Sequence, residues 1–159
     1  MRTFQFHYEE YQDAQELPDA WKELLKAAQQ ILATAHAPYS EFKVGAAVLL
    51  GDGQVICGVN IENASYPVGI CAERSALASV ISQFPHEKIE AIAVSYLSKS
   101  GENNLPAFPC GMCRQFISEC EDRNHAPITL ILGGQTGPVS VVYSAKHLLP
   151  FSFGGKDLQ

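Results

Sequence analysis

The amino-acid sequence predicts an α/β fold, a layered sheet with helices on its faces, and two observations carry that prediction. Segments with apolar residues at helical spacing alternate along the chain with short runs of strand character. The 159 residues, 47% of them hydrophobic, also suit a single domain with one core that buries roughly 68–70% of the surface of its unfolded chain.

The elements follow in order. Trp21, Leu24, Leu25, Ala28, Ile31 and Leu32 recur at three and four, the stripe of an amphipathic helix, with Pro18 and Asp19 suited to its first turn and an end before Pro38. Phe42 to Leu50 and Gln54 to Asn60 read as strands joined at Gly51-Asp52-Gly53, a hairpin connection. Cys71 to about Gln83 reads as a helix, Ile89 to Tyr96 as a strand, Cys110 to about Asp122 as a helix and Ile128 to Leu132 as a strand. Val139 to Tyr143 adds another strand and Ala145 to Leu148 a short terminal helix, while Ser98 to Pro109 is the longest loop. No repeat, low-complexity tract or linker divides residues 1–159, and residues 1–20 form an N-terminal extension without a motif, expected to cover a subunit face.

Charge and composition exclude several functions. A net charge of −6 without a basic run disfavours nucleic acid as a partner, because such binding rests on neutralising phosphates. The N-terminus lacks a signal-peptide pattern, and no segment approaches a membrane span, so a soluble cytoplasmic protein is expected.

The five cysteines fit a reducing compartment. Cys57, in an apolar run, and Cys120, near a helix end, read as small buried hydrophobes. The other three carry the chemistry. Cys71 opens Cys-Ala-Glu-Arg, and Cys110 and Cys113 sit in Pro-Cys-Gly-Met-Cys-Arg-Gln. Three soft ligands leave a tetrahedral Zn²⁺ with one open position, and Glu73 is placed as a proton shuttle; this is the general signature of zinc deaminases. Both motifs open predicted helices, where unpaired N–H groups and the helix dipole favour thiolates. Three thiolates leave the ion with a net negative charge that opposes acidification of its water, so Arg74 and Arg114 are expected to hydrogen-bond the sulfurs from outside. Taken alone, Cys110-x-x-Cys113 also fits a redox pair or half of a structural zinc knot. Neither reading needs an acid at position 73, and His7, His36, His86, His125 and His147 stand away from ligand spacing, as surface or satisfied core residues.

At these residues the chain resembles the zinc-dependent cytidine deaminases, specifically the small homotetrameric type. The resemblance runs from Pro38 through Pro38-Tyr39-Ser40, Phe42 with Val44-Gly45-Ala46-Ala47, Asn60 to Pro67, Cys71 to Arg74, Pro109 to Gln115, and Leu148-Leu149-Pro150 with Ser152-Phe153-Gly154. It implies a three-layer α/β/α fold with a mixed five-stranded sheet, and four subunits that share their active sites. It implies further that Cys71, Cys110 and Cys113 hold zinc, and that the zinc activates the water that attacks C4 of cytosine. Glu73 would move protons from that water to N3 and to the departing amine. Asn60 and Glu62 would bracket the ribose 3′-hydroxyl, the Ala72 N–H would meet the ring carbonyl, and Phe42 and Tyr66 would line the nucleoside site. Phe153 would reach the base site of a neighbouring subunit. Met112 and Phe108 depart from the family pattern, where small residues are usual.

The expected reaction is deamination of cytidine and 2′-deoxycytidine in pyrimidine salvage. A rival within the superfamily is deamination of an antibiotic or modified cytosine nucleoside, and from another class, a non-catalytic zinc-binding oligomeric module.

Overall fold

One mixed sheet of six strands runs through the protein, whose computed structural model describes residues 1–99 and 101–158. In chain order the elements are β1 (Glu9–Tyr11), α1 (Asp19–Ile31), β2 (Phe42–Leu50), β3 (Val55–Val59), α2 (Ala72–Gln83), β4 (Ile89–Ser98), α3 (Gly111–Asn124), β5 (Thr129–Gly133) and β6 (Val139–Val142). The strand order is β1-β6-β5-β4-β2-β3, and among the described strands β4 and β5, which α3 connects, pair in parallel and the others antiparallel. The residues from Ala145 to Leu148 form a 3₁₀ turn, and a second such turn, Gly155–Leu158, follows it nearer the end. The long loop expected at Ser98 to Pro109 connects β4 to α3, with Ser100 outside the described residues.

The period-two alternation of the strands builds both faces of the sheet. Ala46, Val48 and Leu50 of β2, Ile92 and Val94 of β4, and Leu130 and Leu132 of β5 are buried with residues of α2 and α3. Their neighbours Ala47, Ala91, Ala93 and Ile131 are buried with Leu24, Leu25 and Ala28 of α1. Helices therefore cover both faces, which gives the three-layer α/β/α arrangement. Two glycines let the helices approach. A Cβ on Gly45 would collide with the Ala28 carbonyl of α1, and one on Gly58 would lie 2.9 Å from the Ala72 carbonyl at the start of α2.

The sixth strand corrects the expected count of five. Glu9, Glu10 and Tyr11 pair antiparallel with Val141, Ser140 and Val139, and Leu17 just after them is buried in the α1 layer. Residues 1–20 thus extend the sheet edge. A triplet with two acids has no hydrophobic alternation to announce it, and its pairing comes from the β6 edge. Cys120 is buried as expected, whereas Cys57, on β3, is only half-buried.

Candidate active site

The site forms where α2 and α3 begin. Cys71 caps the N-terminus of α2 and Cys110 that of α3, both in extended backbone, and Cys113 lies within the first turn of α3. Two helices thus aim their unpaired N–H groups and positive ends at one place. The Sγ atoms of Cys71 and Cys110 are 3.8 Å apart, those of Cys110 and Cys113 3.7 Å, and all three lie within 4.8 Å of one another. A tetrahedral ion with Zn–S bonds of about 2.3 Å holds its sulfurs about 3.8 Å apart, the spacing of Cys110 from both Cys71 and Cys113, so the three thiols fit zinc. Among the described residues no other cluster of His, Cys, Asp or Glu could hold a metal, and the histidines stand apart from this one.

Charge at the cluster is arranged for thiolates. The Cys113 thiol, followed by the Arg74 guanidinium and the Cys110 thiol, holds Cys71 well below an ordinary thiol, at about 5. Cys113, facing that thiolate and buried, is pushed up in turn. The Arg74 Nη2 donates to Cys71 Sγ at 3.7 Å and to the Gly69 carbonyl at 3.1 Å. Arg114 is used differently. Its Nε donates to the Pro109 carbonyl at 2.8 Å and its Nη1 to the Leu148 carbonyl at 2.9 Å, so it grips the backbone just before Cys110.

Glu73, in the first turn of α2, is 5% exposed. Burial first, and the nearby Cys71 thiolate after it, push its pKa above 4.5. A buried acid whose pKa is raised above the ordinary carboxyl value is suited to taking and returning a proton.

A cleft of about 650 Å³ opens over the cluster, lined by Cys71, Ala72, Glu73 and Cys110 together with Phe42, Asn60, Glu62 and Tyr66. The Ala72 N–H is one of those the start of α2 leaves without a helical partner. Glu62 is held by the Ser40 hydroxyl and by the backbone N–H groups of Tyr39 at 2.8 Å and Ser40 at 3.3 Å. The Ser40 hydroxyl first, then the Tyr39 N–H, lower its pKa and keep it ionised. Asn60 accepts from the Val44 N–H and donates to the Phe42 carbonyl, both at 2.8 Å, leaving one donor and one lone pair. Phe42 stacks on Tyr96 with centroids 5.0 Å apart and planes at 12°. Met112 and Phe108 also line the cleft. Phe153 does not line this chain's own cleft; it is 60% exposed, and its carbonyl accepts from Gln115 Nε2 at 2.9 Å.

Three residues at or behind the site escape a sequence reading. Ser40 and Tyr96 support Glu62 and Phe42 across elements distant in sequence, although the Pro38-Tyr39-Ser40 motif beside Phe42 was a signal. Glu121, on α3, is 3% exposed and accepts from the Ile128 and Ala145 N–H groups and the Ser144 hydroxyl. In sequence it is one acid of a charged helix end.

An α/β/α sheet that gathers three thiols and a buried acid at two helix starts defines a zinc-dependent hydrolase site. A family model described as the cytidine and deoxycytidylate deaminase zinc-binding region matches residues 19–126. The chain is 40% identical over 136 residues to the cytidine deaminase of Halalkalibacterium halodurans, covering 85% of this chain and 95% of that one. It is 34% identical over 143 residues to the cytidine deaminase of Mycobacterium tuberculosis, covering 89% and 96%. The crystal structure of cytidine deaminase from Burkholderia pseudomallei superposes with a TM-score of 0.70 at 39% identity, over 82% of this chain and 97% of that one. The chain belongs to the cytidine and deoxycytidylate deaminase family.

Proposed function

We propose that the protein deaminates cytidine and 2′-deoxycytidine hydrolytically, giving uridine or 2′-deoxyuridine and ammonia. The observation that carries this reading is one cleft lined both by Cys71, Cys110 and Glu73 of the thiol cluster and by the ionised Glu62 with Asn60. Cys71, Cys110 and Cys113 would hold the zinc, which supplies Lewis acidity that brings the pKa of a water close to 7. Glu73 takes one proton of the attacking water and passes it to N3 of the ring, then takes the second from the hydroxyl now on C4 and gives it to the amine, which leaves as ammonia while the C4 carbonyl forms. Its buried position keeps bulk water from competing for those protons. Ala72 offers its N–H to the ring carbonyl oxygen, and Phe42, fixed by Tyr96, packs against the pyrimidine. Glu62 and Asn60 receive the ribose 3′-hydroxyl. A continuing polynucleotide would set a phosphate against the Glu62 carboxylate, so a free nucleoside fits the site better.

Four chains would form the working enzyme, as a homotetramer. Phe153 supports this reading, since it is exposed at the C-terminal end and outside its own cleft, free to enter a neighbour's. The free thiols of the site suit a cytoplasmic enzyme of pyrimidine salvage. The test is loss of cytidine absorbance with equimolar release of ammonia by the zinc-loaded chain. A zinc-loaded chain that releases none would favour a non-catalytic binding module.

A further inference from the structure

We propose that the N-terminal extension braces the metal site, through a line of contacts that runs from Phe6 over His147 and Leu148 to Arg114 and the backbone before Cys110. The Phe6 ring stacks on the His147 ring with centroids 5.7 Å apart and planes at 24°. His147 Nδ1 is buried without a hydrogen-bond partner among the described residues, where a surface or satisfied core histidine was expected. With no hydrogen bond at that nitrogen, the stack on Phe6 bears directly on how the imidazole is held. The next residue, Leu148, gives its carbonyl to Arg114 Nη1 at 2.9 Å, and Arg114 Nε grips the Pro109 carbonyl at 2.8 Å. Pro109 is bonded directly to Cys110.

The turn that carries His147 is held on its far side by α3 itself. Glu121 accepts from the Ser144 hydroxyl at 2.8 Å and from the Ala145 N–H at 2.9 Å. The Ala145–Leu148 turn thus sits between α3, whose first turn bears two of the three thiols, and the N-terminal extension, which presses on it from outside. The edge pairing of Glu9–Tyr11 with β6 anchors the extension close to this turn, because β6 ends at Val142 just before it. The family model matches residues 19–126, so Phe6, His147 and Leu148 all lie outside the matched region while Pro109, Cys110 and Arg114 lie within it. Phe6 and Arg114 are positioning residues here, and their effect is on how firmly Cys110 is held. The inference rests on the metal assignment and not on the choice of substrate.

The test is the rate at which the zinc-loaded full chain gives up its metal to a colorimetric chelator, together with the sulfur-to-metal charge-transfer band of the cobalt-substituted protein. Phe6→Ala is expected to release zinc about two- to tenfold faster, the range that losing one aromatic pair allows, and to shift the cobalt band. Phe6→Tyr, which keeps the ring, should stay close to wild type, and so should Phe4→Ala, whose ring touches Phe6 but not His147. Arg114→Gln is expected to act in the same sense and more strongly, and the double variant should release zinc more slowly than the product of the two single effects predicts. Wild-type release and spectrum in Phe6→Ala would overturn the brace. So would equal effects of Phe4→Ala and Phe6→Ala, or independent effects of Phe6 and Arg114.

Discussion

The Arg74 guanidinium reaches Cys71 Sγ at 3.7 Å while the same nitrogen is fixed by the Gly69 carbonyl at 3.1 Å. The positive charge is therefore held in place beside one thiolate of a three-thiolate set. Arg74→Gln is expected to lower zinc affinity about 10–100-fold, the usual cost of losing such a partner, in competition with a chelator. Unchanged affinity would mean that the charge of Arg74 is not felt by the ligand set.

Glu73→Ala is expected to keep the bound zinc, because the side chain is not among the three sulfur ligands, and to lower kcat by about 10²–10⁴-fold. The pH profile follows from the direction of the shift. Burial raises the Glu73 pKa above 4.5, so the carboxyl holds its proton to a higher pH than a free glutamate does. The acid limb of kcat/KM in the wild type should therefore fall above 4.5. Steady-state rates from pH 4 to 8, buffers chosen not to bind zinc, measure it.

Glu62→Gln is expected to raise KM for cytidine about 10–100-fold with a smaller change in kcat, since the contact is to a part of the substrate that does not react. The Ser40 hydroxyl and Tyr39 N–H lower the Glu62 pKa, so the carboxylate persists as pH falls, and the wild-type KM should not rise until below 4.5. Equal KM values in wild type and variant would remove the ribose assignment.

Gly58→Ala is expected to destabilise the fold by about 1–3 kcal/mol and to weaken zinc retention at the same time. The added methyl would collide with the Ala76 backbone nitrogen and meet the Ala72 carbonyl at 2.9 Å, and relief requires the first turns of α2, which Cys71 caps, to move away from β3. Thermal midpoints with and without zinc report both effects.

The Cys120 thiol links stability to alkaline pH. Burial pushes it from 9.0 up to about 11, so the folded chain holds this proton more tightly than the unfolded chain does. Unfolding then releases a proton above pH 9, and stability falls as pH rises from 9.0 through about 11. Cys120→Ala should flatten that decline while lowering stability at neutral pH by the lost packing; an unchanged slope would contradict the assignment.

The chemistry was more legible in the sequence than its supports. Cys71 and Cys110 fall at the caps of α2 and α3 because each thiol lies where an extended loop meets an apolar helical stripe, a local pattern that a single sequence carries. The period-two runs of β2, β4 and β5 were readable for the same reason, since each face has its own burial. β1 was not, because Glu9-Glu10-Tyr11 has no alternation and owes its strand to β6. Arg114 was expected at a sulfur and binds two carbonyls, one of them 34 residues further along the chain at Leu148, which no local spacing encodes. The Phe42–Tyr96 stack and the buried Glu121 depend in the same way on the neighbours that tertiary packing supplies.

The most direct test of the central claim is zinc content and ammonia release measured on the same samples of wild type and Glu73→Ala given cytidine. About one zinc per chain is expected in both and ammonia only from the wild type, in step with the loss of cytidine absorbance. Full zinc occupancy with no ammonia from the wild type, or undiminished turnover by Glu73→Ala, would contradict it.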